Sequence, residues 1–587
     1  MAIKLDKVDV VVVGTGWAGG ILSAELAKAG KKVVALERGE MKNISDYTGV
    51  KDELRFTNRF EMMQDLSYET ITSRNTLDEI ALPVRTQDEM MAGTDLGGGS
   101  VHWAGSSYRY WPYDFEIYSQ TVDRYGKDKI PKGMTIQDWG ITYDEMEKYY
   151  DRFEKTAGLS GEPDPLGAKR SSDYPTPPLK ETPPLGLFKE ATKNLGYHPY
   201  QMAAGNLSEK YENPDGQVIN QCQYCAFCTQ YGCDFGAKSD ALVTVIPTAL
   251  AHDNFELRTE SYVRRVLYKN GKATGVMYVD TRTGQEYEQP ADVVALSAFT
   301  FTNNRLLMLS DIGEPYNPET GKGVIGRNFH GQFGITFLGA RGFFDKEKFN
   351  WYMGAGALGA TMSDFAADNF DHSDVDFING GAIELRQYGD GAIASNHVPK
   401  GTPRWGKEFK KNSLFYAHRT LNVWYTAAVM PWWHNYLDLD PTYTDSFNDP
   451  LLRVTNKYTD QDRNIAKFGI EKCKEIMEEM GADIVDVDEI PDEFDHIYQG
   501  GHYAGGVIMG DDPNTSALNN YLQMWDVDNL FVIGANALPH FPGHHPTPTV
   551  GALAYRAAEG IEKYLDNGGQ LVKGKSTDVT QQRRKLA

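Results

Sequence analysis

Four of the five cysteines in this 587-residue chain, Cys222, Cys225, Cys228 and Cys233, crowd into the run QCQYCAFCTQYGCDFG with the spacing C-x2-C-x2-C-x4-C. Thiolates packed into one loop converge only around something positively charged, and zinc and an iron–sulfur cluster both satisfy such a set. A zinc site usually separates two C-x-x-C pairs by a longer span. The first three cysteines here match the ferredoxin run, with the fourth displaced by one residue. The spacing therefore favours a cluster and leaves a structural zinc knuckle as the alternative. Cys473 stands apart among Ile465, Ile476, Met477 and Met480 and reads as a buried apolar thiol.

A second pattern is built for phosphate. Gly14, Gly16 and Gly19 form G-x-G-x-x-G, and Glu37 follows further on. The first glycine permits a tight turn, the second lets the backbone approach a pyrophosphate, and the third lets a helix pack on a strand. The helix N-terminus then stabilises the phosphate charge. A carboxylate at Glu37 accepts ribose hydroxyls and disfavours a phosphorylated ribose. The chemistry is dinucleotide binding, and the motif fits FAD and NAD equally.

The elements that must position these residues are legible nearby. Val10 to Val13 read as a buried strand, Gly20 to Ala29 as a helix and Lys32 to Leu36 as a second strand, making a βαβ unit. Thr142 and Glu145 form a capping box before the helical pattern of Met146, Tyr149, Tyr150 and Phe153. Residues 160–185, rich in Pro, Gly and Asp, suggest a surface excursion. FELRTESYVRRVLYKNGKATGVMYV, with a turn at Asn270-Gly271, and the strand Asp292 to Ser297 read as a β-meander. A long helix is expected from about Asp460 to Met480.

Four further segments carry a resemblance. LGGGSVHWAG at 96–105, ADVVALSAFTFTNNRLLMLS at 291–310, GRNFHGQ at 326–332 and DVDNLFVIGANALPHFPGHHPTPTVGALAYRAA at 526–558 resemble motifs of the glucose-methanol-choline (GMC) oxidoreductase family. The chain departs from the family in carrying Ser297-Ala298 for its usual Ala-Gly pair. The resemblance implies an α/β protein in which a Rossmann-like FAD-binding domain is interleaved with an α+β substrate-binding domain on an antiparallel sheet. FAD-binding pieces are expected at 1–125, 216–335 (with the cysteine loop) and 496–566. A mixed helical and loop excursion is expected at 126–215, the substrate-binding domain at 336–495 and a flexible tail at 567–587.

By the same resemblance, Gly14, Gly16, Gly19, Glu37, Gly98, Gly99, Ser100, His102, Asn536 and Thr547 contact FAD. His102 occupies the place where pyranose-oxidase relatives attach their flavin covalently; a merely packed histidine is the alternative. Oxidising an alcohol requires a base at the hydroxyl and a hydride acceptor at the adjacent carbon, and histidine suits the base because its pKa is near neutral. His502 matches the family's base and His545 its partner, where many sugar-acid members carry Asn. Alternatively, His540, His544 and His545 form a surface histidine patch or an adventitious metal site.

Similarity to cluster-bearing sugar and sugar-acid dehydrogenases of the family implies a three-iron 3Fe-4S cluster on three of the four cysteines. It implies oxidation of a gluconate-type substrate to its 2-keto product. Electrons would pass to a cytochrome c-type or quinone acceptor. A small partner subunit would carry the export signal, so that the chain is membrane-associated on the periplasmic side through partners; a cytoplasmic location is the alternative. A dehydrogenase of a neutral sugar, an oxygen-using oxidase and a non-catalytic flavin-fold carrier are the competing readings. Arg386 or Arg419 in the middle block would pair with a substrate carboxylate. A formal net charge of −22 and no clustered basic stripe exclude a nucleic-acid partner. No run of 18 apolar residues is present to cross a bilayer, and the chain enters its first motif without an export signal.

Overall fold

The computed structural model describes residues 2–47, 64, 66, 69–85, 92–389, 397–494 and 501–575. Strand Val8–Val13 lies at the heart of an eight-stranded sheet. Val10, Val11 and Val12 are fully buried because parallel neighbours flank the strand and helices cover it, which is why its sequence is a continuous apolar run rather than an alternation. It pairs in parallel with Val33–Leu36 on one side and with the second half of Glu286–Leu296 on the other. The first half of Glu286–Leu296 pairs antiparallel with Lys272–Asp280, which pairs in turn with Ser261–Lys269. One long strand therefore belongs to both the meander and the parallel part of the sheet, where the sequence pattern suggests a separate short strand. Phe255–Arg258 is not the head of the meander either, since it adds in parallel to Val33–Leu36.

The helix Trp17–Lys28 descends directly onto the end of the first strand. Gly14 turns at φ +89°, and a Cβ on Gly19 would lie 1.8 Å from the Gly14 carbonyl oxygen, so only glycine allows this approach. Helix Tyr143–Ala157 starts at the Thr142–Glu145 capping box and packs on Thr547–Asn567, which also packs on Trp17–Lys28.

A second sheet has six strands in the order Ile484–Val487, Phe337–Phe343, Thr420–Ala427, Gly381–Arg386, Gly359–Met362 and Tyr200–Gln201, antiparallel throughout. It thus recruits Tyr200–Gln201 from the segment read as an excursion. Glu384 lies opposite Trp424 in register. Along Gly381–Arg386, Ile383 and Leu385 join Val423 and Tyr425 against the helix Asp460–Glu479, whose Cys473, Ile476 and Met477 are fully buried. Strand alternation sends Glu384 and Arg386 to the opposite face, toward the eight-stranded sheet and the cavity beside it. A four-stranded sheet of Tyr436–Thr444, Pro450–Thr455, Ile71–Arg74 and Leu82–Pro83 completes the frame. Of the tail read at 567–587, the residues beyond Lys575 lie outside those described. Among the described residues no helix is long and apolar enough to cross a membrane.

Candidate functional site

One cavity of about 590 Å³ connects the glycine fingerprint to the histidines of the C-terminal motif. At its first end Gly14, Gly16, Glu37, Gly98, Gly99, Ser100 and His102 form the wall. A Cβ on Gly16 would come no nearer than 3.7 Å to any neighbour, so the space above its backbone is open to a ligand. Both oxygens of the buried Glu37 are engaged. Thr15 donates from its N–H (3.0 Å) and hydroxyl (2.6 Å) to Oε2, and Gly39 N–H to Oε1 (3.0 Å). The carboxylate is thereby locked in place with lone pairs left for hydroxyl donors. Thr547 opens helix Thr547–Asn567 at the cavity wall, bringing the positive end of the helix dipole to it. Two of the expected cofactor residues do not line the cavity. Gly19 sits beneath the turn, and Asn536 stands behind the wall, accepting from Asn303 Nδ2 at 2.8 Å while its own Nδ2 is buried without a partner.

His102 ends the short helix Gly99–His102. Its ring is buried, Nε2 has no hydrogen-bond partner, and burial followed by the Lys238 charge pushes its pKa down to about 4. The ring stands at the cavity wall in its neutral form.

At the far end the rings of His502 and His545 lie 5.1 Å apart at 72°. His502 Nδ1 meets Gln332 Oε1 at 3.1 Å, and its ring stacks on Phe541. Burial lowers both imidazoles, and Arg386 adds to the effect, so both are neutral at pH 7. Beside them sits a charged pair, Glu384 and Arg386 (Nη2–Oε1 2.5 Å), with Arg386 Nη2 also against His545 Nε2. Glu384 is fully buried and accepts from Trp424 Nε1 (2.6 Å) and Tyr108 Oη (3.1 Å). Burial alone would raise its carboxyl, but Arg386, His545 and Trp424 reverse that and hold it ionised well below the usual range.

Glu384 is the main residue that sequence reasoning missed. Its signal is the alternation in GAIELR, which places two opposite charges on one face of an apolar strand. Arg419 lies elsewhere, donating to the Asp345 carbonyl at 2.6 Å. The histidine-rich segment is not a surface patch. His540 and His544 are buried, with His540 taking a hydrogen bond from Trp139 Nε1 (3.1 Å) and His544 stacked between Tyr108 (4.0 Å) and Trp111 (4.6 Å). Apolar walls on both faces explain this burial, and burial pushes His544 down to about 3.

The cysteine loop packs against the His102 loop, where Gln230 N–H donates to the His102 carbonyl at 2.6 Å. Backbone N–H groups of Tyr224 and Ala237 reach the sulfurs of Cys222 and Cys233 at 3.4 Å, and Asn206 Nδ2 reaches Cys228 at 3.6 Å. Burial, then the neighbouring thiols, push Cys222 up to about 12; burial pushes Cys228 up to about 11 despite Lys238. Cys222 and Cys228 therefore stay protonated unless a cation binds them, and with Cys225 and Cys233 beside them the loop offers a donor set of the right chemistry for a thiolate-bound centre. They do not converge on a point. Among the described residues no group of three or more His, Cys, Asp or Glu is arranged to hold a metal ion. The fully buried Lys238 ties the two loops together, donating to the carbonyls of Trp103 (3.0 Å), Cys228 (2.7 Å) and Tyr231 (2.7 Å).

Family models described as GMC oxidoreductase match residues 9–333 and 431–554. The chain is 41% identical to the gluconate 2-dehydrogenase flavoprotein of Pantoea cypripedii, over 97% of this chain and 96% of that one. It is 30% identical to the 2-methyl-1,2-propanediol dehydrogenase of Mycolicibacterium austroafricanum (96% of each). To the fructose dehydrogenase large subunit of Gluconobacter japonicus it is 23% identical (97% and 100%). Among solved structures, pyridoxine 4-oxidase from Mesorbium loti superposes with a TM-score of 0.60 at 18% identity, covering 95% of this chain and 99% of that one. That likeness speaks to the fold alone.

Proposed function

The chain belongs to the GMC oxidoreductase family, and we propose that within it the protein dehydrogenates the C2 hydroxyl of a gluconate-type sugar acid, with His502 as the base. It is an FAD-dependent oxidoreductase acting on CH–OH donors. Bound FAD supplies the hydride acceptor. On this reading the backbone at Gly14 and Gly16 cradles the pyrophosphate, Glu37 takes the ribose hydroxyls, and Gly98, Gly99, Ser100 and Thr547 border the rest, with Gly19 and Asn536 as support.

The observation that carries the reading is a neutral, adjacent His502–His545 pair on the same cavity as the dinucleotide cradle. Neutral His502 is free to take the hydroxyl proton at physiological pH, while Gln332 and Phe541 fix its ring. His545 orients the substrate oxygen. The 41%-identical relative supports a sugar acid as the substrate.

We further propose that three of Cys222, Cys225, Cys228 and Cys233 hold an iron–sulfur cluster of the 3Fe-4S type, which would supply a one-electron exit. The N–H groups aimed at the sulfurs support this, since hydrogen bonds to sulfur tune such centres. The relative that is the large subunit of a fructose dehydrogenase supports a small partner subunit here, and the proposal adds a cytochrome c-type or quinone acceptor, with attachment to the periplasmic face of a membrane through these partners. The orphan Nε2 of His102 supports a covalent flavin link, and a colourless acid precipitate of the holoenzyme would sink it if the yellow stays in solution rather than with the protein.

The test is an anaerobic visible spectrum with gluconate, glucose and fructose added separately. Bleaching of the flavin bands by gluconate over a broad residual absorption is the expected result. Bleaching only by a neutral sugar would defeat the substrate reading, and a spectrum without flavin bands would defeat the proposal.

A further inference from the structure

In a 2-hydroxy acid the carboxylate is bonded to the carbon that gives up hydride. Whatever recognises that carboxylate must therefore adjoin the groups that hold the hydroxyl, which here are His502 and His545. Two arginines line the cavity. Arg38 follows Glu37 at the cradle end and pairs with Glu69 at 2.8 Å. Arg386 lies at the other end and touches His545 itself.

We propose that Arg386 binds the substrate's C1 carboxylate and is the residue that selects 2-hydroxy acids over neutral sugars. The inference rests on the sugar-acid reading above. Its support is in the unequal use of the guanidinium. Glu384 and His545 engage Nη2, and Nη1 donates to the Tyr388 hydroxyl at 3.3 Å, but the buried Nε–H has no partner. An unsatisfied donor on a buried cation is costly unless a ligand completes it. The planar five-donor fork accommodates one carboxylate along one edge and a second along another. Glu384 is the resident anion. Trp424 and Tyr108 hold it in place, so it neutralises Arg386 without swinging into the substrate's position. The rings of Tyr388 and Trp424 stack on each other, each 5.7 Å from the guanidinium carbon.

The experiment compares D-gluconate with its neutral isostere D-gluconamide by anaerobic stopped-flow bleaching of the flavin in the holoenzyme, separating Kd from the limiting rate. Because Arg386→Gln alone leaves Glu384 buried and unpaired, the variants are Arg386→Lys and the uncharged double Glu384→Gln/Arg386→Gln, each checked for retained flavin bands. Both are expected to weaken gluconate binding roughly 10- to 100-fold more than gluconamide binding, whatever loss the two compounds share. An equal loss for both compounds would overturn the assignment and leave the sugar-acid reading standing. If the unaltered enzyme is bleached by neutral sugars and not by gluconate, that reading fails, and the role of Arg386 with it, before any variant is made.

Discussion

The two ends of the cavity are built in opposite ways. The cradle end is mostly backbone, supplied by two glycine-rich turns that follow or open regular elements, with Glu37 as its principal side chain. The histidine end is mostly side chains, drawn from residues 384, 386, 388, 424, 502 and 545, which meet only when the antiparallel sheet is laid against the eight-stranded sheet. A backbone cradle tolerates almost any side chain except where a Cβ would collide. A side-chain site tolerates almost no change of type, because each group there takes part in its neighbour's charge state. Steric substitutions should therefore damage the first end and chemical ones the second.

The sharpest test is His502→Ala, expected to lower kcat by about 10²–10⁴-fold with the flavin spectrum and thermal stability little changed. A large loss of bound FAD in this variant would break the contrast. Gly19→Ala should do the reverse. Its Cβ would fall 1.8 Å from the Gly14 carbonyl oxygen, and a destabilisation of about 1–3 kcal/mol with loss of FAD is expected, measured by thermal unfolding and flavin content. Cys228→Ser should remove the broad iron–sulfur absorption and the iron content while leaving flavin reduction by substrate in place. Unchanged iron would disqualify Cys228 as a ligand.

The mildest effects concern pH. Since burial depresses His502, kcat/KM should be flat around neutrality and fall only in acid, well below 6.5. Stability follows the same sign. His102 (about 4), His330 (about 3) and His544 (about 3) are neutral in the fold but bind protons near 6.5 when unfolded. Their contribution is complete above 6.5 and is lost as pH falls, by about 2 kcal/mol per histidine at pH 5. Denaturant midpoints that do not change from pH 7 to pH 5 would contradict this.

The same contrast accounts for what could be read from the chain. The fingerprint, the Thr142 cap and the long helix ending near Met480 are local arrangements, fixed by residues a few positions apart, and they were legible. Phe255–Arg258 was misplaced because nothing in FELR names its partner strand, which is 220 residues earlier. The alternation of Ile383, Glu384, Leu385 and Arg386 announces a two-faced strand, but only its register against Thr420–Ala427 and the position of that sheet put Glu384 beside His545. Asn536 lies in a recognisable motif, but its packing against Asn303 behind the cavity wall depends on a segment 233 residues away that the motif does not name. The burial of His540 and His544 was hidden for a related reason: their aromatic neighbours Trp139, Tyr108 and Trp111 come from a distant stretch of chain.

Lys238 spends all three of its protons on carbonyls from two loops that are otherwise at least 125 residues apart in the chain, Trp103 on one and Cys228 and Tyr231 on the other. Mechanically it is a tie bar. A displacement of the cysteine loop, such as a docking subunit would impose, reaches the loop beside His102 through three short bonds rather than through the sheet, so the two loops move as a single stiff body.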